Sequence, residues 1–156
     1  MSSTATAYLQ EPAGTALPTL LQRLAPLGLQ GLAYWDNGFK VFTANRPLHG
    51  PGDVRGLKMR VQASRTLVEQ MRVLGAQASV SPLANVYESL RTGQLDGQEN
   101  VPTNIFSQRL HEAQSHLSVT RHGYLAYAVI TNRRFWERLP DDILDRMRDY
   151  ALPASA

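Results

Sequence analysis

From residue 57 onward the apolar positions of the chain switch repeatedly between two periods. LKMRV (57–61) spaces Leu57, Met59 and Val61 two apart, the period of a strand. TLVEQMRVLG (66–75) spaces its apolar residues as a helix and closes on Gly75. AQASV (76–80) reads as a strand, and PLANVYESLRTG (82–93) as a helix opened by Pro82 and closed by Gly93. QLDG (94–97) reads as a short strand and VPTNIFSQRLHEAQ (101–114) as a helix. HLSVT and GYLAYAVITN then read as strands, and FWERLPDDILDRMRDY as one helix or two broken at Pro140. Upstream, LPTLLQRLAPLG (17–28) predicts a short helix ending at Gly28, and RPLHGPGDVRG (46–56) a loop. Between them, LQGLAYWDNGFKVFTAN predicts two strands around an Asp-Asn-Gly turn, a hairpin. Strands alternating with helices predict an α/β domain with a mostly parallel sheet flanked by helices. It should occupy residues 17–150, between a poorly ordered tail at 1–16 and a C-terminal tail at 151–156.

Composition narrows the class. The 156 residues suffice for one core, and 43% hydrophobic with 19% charged residues describes a folded chain. No apolar run approaches the length that spans a bilayer, and the first sixteen residues lack the basic start and apolar centre of a signal peptide. The absence of cysteine excludes disulfides and thiolate metal sites. The net charge of +3 comes mostly from arginines scattered among acids, without the basic and aromatic blocks of a nucleic-acid binder, so no nucleic-acid partner is expected.

Few residues stand out for chemistry. Lys58 and Arg60 share one face of the strand LKMRV, so that face meets water, a loop or an open cleft. Arg60 is then either a solvated edge-strand residue or the holder of an anion, for which its planar fork is suited. Asn100 is positioned to cap the helix that follows, near free N–H groups at the carboxyl end of a strand, where α/β sheets bind ligands. Asp96-Gly97 would make the turn, and Asp96 and Glu99 lack the spacing of a calcium loop. Tyr87 lies on an amphipathic helix and suits core packing or ligand contact. Trp35, beside the predicted turn, either lines a pocket or covers a sheet edge. His49, His111, His116 and His122 form no metal-ligand spacing, and no nucleophile motif or phosphate loop is present, so no catalytic residues are assigned and no enzyme is expected.

GLAYWDNGFKVFTANRPLHGPGDVRGLKMRV, LGAQASVSPLANVYESLRTGQLDGQEN and HGYLAYAVITNRRFWERLPDD, in this order, resemble the DctP-type solute-binding proteins of tripartite ATP-independent periplasmic (TRAP) transporters. The resemblance implies one lobe of a type II periplasmic-binding-protein-like fold, with part of the hinge. It implies a periplasmic receptor that binds a small organic anion, usually a carboxylate, and hands it to membrane permease subunits, without cofactor or metal. It assigns the ligand carboxylate to Arg60, a further contact to Asn100, and a weaker basic contact to Lys40. Leu83 and Asn85 stand where relatives often carry an aromatic residue and a glutamate. Relatives are considerably longer, so a lone lobe is expected to bind weakly or not at all, and to self-associate through the surface that would face a second lobe. A ligand-sensing regulatory domain of the same architecture is the alternative.

Overall fold

A computed structural model describes residues 20–151, and it falls into two compact units: residues up to Gly38 with those from Ala126 onward, and Phe39–Leu125. The expected tails at 1–16 and 151–156 lie outside the described residues, except for Ala151, which ends a helix.

The Phe39–Leu125 unit holds a five-stranded sheet of β2 (Val41–Ala44), β3 (Lys58–Val61), β4 (Gln77–Val80), β5 (Gly97–Asn100) and β6 (His116–Ser118). The order is β4-β3-β5-β2-β6. β3 is parallel to β4 and β5, while β2 is antiparallel to β5 and β6. Four strands therefore point one way and β2 alone runs against them. Three helices join these strands: α1 (Arg65–Val73), α2 (Val86–Arg91) and α3 (Pro102–Ser107).

Side-chain alternation divides the sheet into two faces. Phe42, Ala44, Met59 and Val61 pack on one face with Met71 of α1 and with Leu48 and Val54. Val41 packs on the other with Val86 and Leu90 of α2 and Ile105 of α3. Gly97 is in register with Ala44 of β2 and Met59 of β3. A Cβ there would collide with the Thr43 carbonyl oxygen and lie 2.9 Å from Met59 Sδ.

In the other unit the described chain begins in a helical turn and passes through a 3-10 turn at Ala25–Leu27 that ends on Gly28 (φ 75°). β1 (Leu29–Phe39) and β7 (Tyr124–Asn132) start in one unit and end in the other, and they pair as a separate two-stranded sheet. α4 (Arg133–Trp136) follows, with Asn132 Oδ1 accepting from Phe135 N at 3.0 Å, and α5 (Asp141–Ala151) begins just after Pro140.

Three expectations are corrected. There is no hairpin at Asp36-Asn37-Gly38: β1 runs straight through it to Phe39, with Gly38 at φ 106°. The reason is pairing at long range. β1 finds β7 and β2 finds β5 and β6, so the chain changes sheets at Lys40 instead of folding back. The strand expected at 94–97 forms three residues later, at Gly97–Asn100, so Asn100 ends a strand and Val101 is the cap residue of α3. The helix expected over 101–114 stops at Ser107, because Arg109 adopts the left-handed conformation (φ 56°) before a 3-10 turn at Leu110–Glu112.

Candidate anion-binding site

Arg60 is no edge residue. β3 lies between β4 and β5, and Arg60 is only 3% exposed. Its Nε and Nη2 both donate to the Ser81 carbonyl oxygen, at 3.0 and 2.8 Å. Nη1 is buried and lacks a hydrogen-bond partner. Burial lowers the Arg60 pKa, and the negative charge of Glu99 opposes that shift. The guanidinium stays charged at neutral pH, because arginine does not deprotonate in proteins. Among the described residues no carboxylate forms an ion pair with it.

Asn100 lies on the same sheet face. Arg60 is in register with Gln98, two residues before Asn100 in β5. Asn100 Oδ1 accepts from Val101 N at 3.0 Å and from Asn104 Nδ2 at 2.9 Å. A backbone N–H can only donate, so it fixes the amide's orientation and turns Nδ2 away. That Nδ2 is buried without a partner. Two buried donors without acceptors thus stand at the carboxyl ends of adjacent parallel strands, the end at which α/β sheets bind ligands. Such groups favour an acceptor from outside, and a carboxylate suits both the charge and the fork.

Lys40 reaches the same end of the sheet on the opposite face. Its Nζ lies 2.8 Å from Glu99 Oε2 and 3.1 Å from Oε1, with Gln62 Oε1 at 3.4 Å. Glu99 is fully buried, on the face it shares with Phe42. His122 stacks on the Phe42 ring, 4.0 Å between centroids, and brings Nε2 to 3.6 Å from Glu99 Oε2. The Lys40 charge is therefore neutralised within the protein, whereas Arg60 has no ion-pair partner among the described residues. An open groove of about 1240 Å³ on the α1 face includes Lys40 and His122 in its wall, but neither Arg60 nor Asn100.

Of the other residues singled out in the sequence, Tyr87 packs against the α2–α3 cluster. Trp35 belongs to the other unit and is half exposed. Asp96 ties β5 to β3: its Oδ2 accepts from Lys58 N at 2.8 Å, and its own N–H donates to Lys58 O at 3.0 Å. The sequence singles out neither Gln98 nor Ser81, and marks His122 only as one of four histidines without a metal-ligand spacing. The period-two alternation of GQEN separates Gln98 and Asn100 from Glu99, and it would have shown this grouping had the strand been drawn over those four residues.

The fold and the site define a class: an α/β unit that presents buried, unpaired donors at the carboxyl ends of its parallel strands. The chain belongs to the bacterial extracellular solute-binding protein family 7 (DctP), which it matches over residues 2–156. It is 50% identical over 130 residues to the C4-dicarboxylate-binding periplasmic protein DctP of Rhodobacter capsulatus, covering 83% of this chain and 39% of that one. It is 43% identical over 119 residues to the DctP protein of Vibrio cholerae, covering 76% and 36%. Among solved structures, a TRAP periplasmic solute-binding protein of Shewanella oneidensis with bound succinate superposes with a TM-score of 0.84 at 41% identity, covering 93% of this chain and 47% of that one. One of Pseudomonas aeruginosa with bound L-malate superposes at 0.85 with 32% identity, covering 94% and 50%. The chain thus spans half or less of the length of these relatives.

Proposed function

We propose that this chain supplies one side of the ligand site of a TRAP-type solute-binding protein. It acts in the periplasm, takes a small organic anion with a carboxylate group, and serves uptake through membrane permease subunits. It binds its ligand and does not transform it. The carrying observation is the pair of buried, unpartnered donors, Arg60 Nη1 and Asn100 Nδ2, on one sheet face. The carboxylates bound by the Shewanella oneidensis and Pseudomonas aeruginosa relatives support the same class of ligand.

Enclosure matters to affinity. An ion pair strengthens as water is excluded around it. These residues present one wall, so the chain alone binds weakly, on the order of 1 mM, or about −4 kcal/mol. Exposed apolar side chains around the groove, Val73 and Val119 among them, favour self-association at high concentration. Nuclear magnetic resonance (NMR) titration of the 156-residue chain with succinate tests the reading. Saturable shifts at the Arg60 Nε–H and the Asn100 side-chain amide support it. The same shifts produced by sodium chloride at matched ionic strength count against it.

A further inference from the structure

A guanidinium carries five N–H donors in a planar fork, and they are unequally used at Arg60. Two of them, on Nε and Nη2, go to the Ser81 carbonyl oxygen and clamp one edge of the fork. The end of the fork offers one N–H of Nη1 and one of Nη2, the pair a carboxylate accepts bidentately. One N–H of Nη1 remains, and the planarity of the group turns it back along the side chain toward β3. No described residue accepts from Nη1.

Gln98 occupies the neighbouring position. It is the register partner of Arg60 across β3 and β5, on the same face, and it is completely buried. Its Nε2 donates to Thr43 Oγ1 at 2.8 Å, which leaves Oε1 as a buried acceptor without a partner. An orphaned acceptor is therefore in register with the residue that carries the orphaned donor.

We propose that Gln98 is a positioning residue for Arg60. Its Oε1 takes the fifth N–H of the guanidinium, through a small rotation of a terminal torsion or through one bridging water. With Ser81 fixing one edge and Gln98 the opposite side, the end of the fork is held ready for a carboxylate. This role rests on the carboxylate reading of the site. It also gives a reason for a neutral amide at this position: a carboxylate here would accept the same N–H, but it would cancel the charge that attracts the ligand.

The test uses Gln98→Glu, which keeps the size of the side chain, in the 156-residue protein. Without ligand, the introduced carboxyl is followed by NMR through a pH titration, alone and combined with Arg60→Met. Contact with Arg60 predicts a carboxyl held below the ordinary range in the single variant and pushed above it by burial in the double variant. Equal values in the two overturn the proposal. Should the double variant not fold, Gln98→Met replaces it: the Arg60 Nη1 hydrogens, slowed in their rotation in the natural protein, should then average, and unchanged signals overturn the proposal. In a second arm, succinate is titrated into the natural chain and into Gln98→Glu. Loss of at least tenfold in affinity in the variant supports the role, and equal affinity in the two overturns it. A natural chain that ignores succinate removes the carboxylate reading, while the first arm still decides whether Gln98 holds Arg60.

Discussion

Glu99 brings both carboxylate oxygens to the ammonium of Lys40, at 2.8 and 3.1 Å, with side chains 0% and 5% exposed. The pair closes the end of the sheet on the α1 face, and Arg60, on the other face, has no ion-pair partner among the described residues. This division of labour makes the two basic residues behave differently under mutation.

Removing one partner of the pair strands a buried charge. Glu99→Gln should cost about 3–5 kcal/mol of stability, the usual penalty for breaking a buried ion pair from one side. Lys40→Met together with Glu99→Gln should recover most of that loss, because no unpaired charge remains. Urea denaturation of the two single variants and the double variant measures the coupling. Additive losses would mean that the pair is not one unit.

Arg60→Lys keeps a positive charge but loses the fork. It should lower the affinity for succinate by about tenfold or more, since a point charge cannot make the bidentate pair. Lysine also cannot reproduce both donations to the Ser81 carbonyl. Side-chain shifts during titration, compared between the natural chain and the variant, give the ratio. Equal affinities would exclude Arg60 from the site.

Gly97→Ala should destabilise the Phe39–Leu125 unit by about 1–3 kcal/mol, the common cost of overpacking. The added methyl meets the Thr43 carbonyl oxygen, which is backbone and cannot swing aside, as well as Met59 Sδ. β5 must shift, and Gln98, Glu99 and Asn100 shift with it. Thermal unfolding reports the loss of stability, and a weaker response of the Asn100 side-chain amide to succinate reports the displacement.

Asp53 stabilises the loop before β3 in a pH-dependent way. Backbone hydrogen bonds from Gly50 and His49 lower its pKa. A carboxyl with a folded pKa below its unfolded value contributes stability that is fully present above the unfolded pKa. That contribution is lost as the pH falls through the lowered folded value. Asp53→Asn should therefore flatten the acid limb of stability against pH and leave its slope near neutrality unchanged. Acid titration of both proteins by circular dichroism checks this.

Much of this architecture is legible in the sequence, and the limits have physical causes. β3, α1, β4 and α2 lie close to where the apolar periods and the closing glycines put them. Those segments bury Met59, Val61, Met71 and Leu90, and hydrophobic burial is what the periods record. β5 escaped because Gly97-Gln98-Glu99-Asn100 holds no apolar side chain, yet all four residues are buried. A strand held inside a sheet by hydrogen bonds and an ion pair leaves no mark in a hydrophobic pattern. The false hairpin has a related cause: Asp36-Asn37-Gly38 satisfies the local rule for a tight turn, and only the distant partner β7 overrides it. At the site, Arg60 and Asn100 were legible as residue types. Their placement on one face, with Lys40 and Glu99 on the other, depends on a strand boundary that local signals could not fix.

Whether Arg60 and Asn100 hold one anion together is decided by NMR titration of the 156-residue chain with succinate, observed at the Arg60 Nε–H and the Asn100 Nδ2 hydrogens. Both should respond together and saturate at one dissociation constant, on the order of 1 mM, and Arg60→Lys should weaken both responses. The Lys40 ammonium, held by Glu99, should respond far less. A saturable response centred on Lys40, with Arg60 and Asn100 silent, would place the anion on the other face of the sheet.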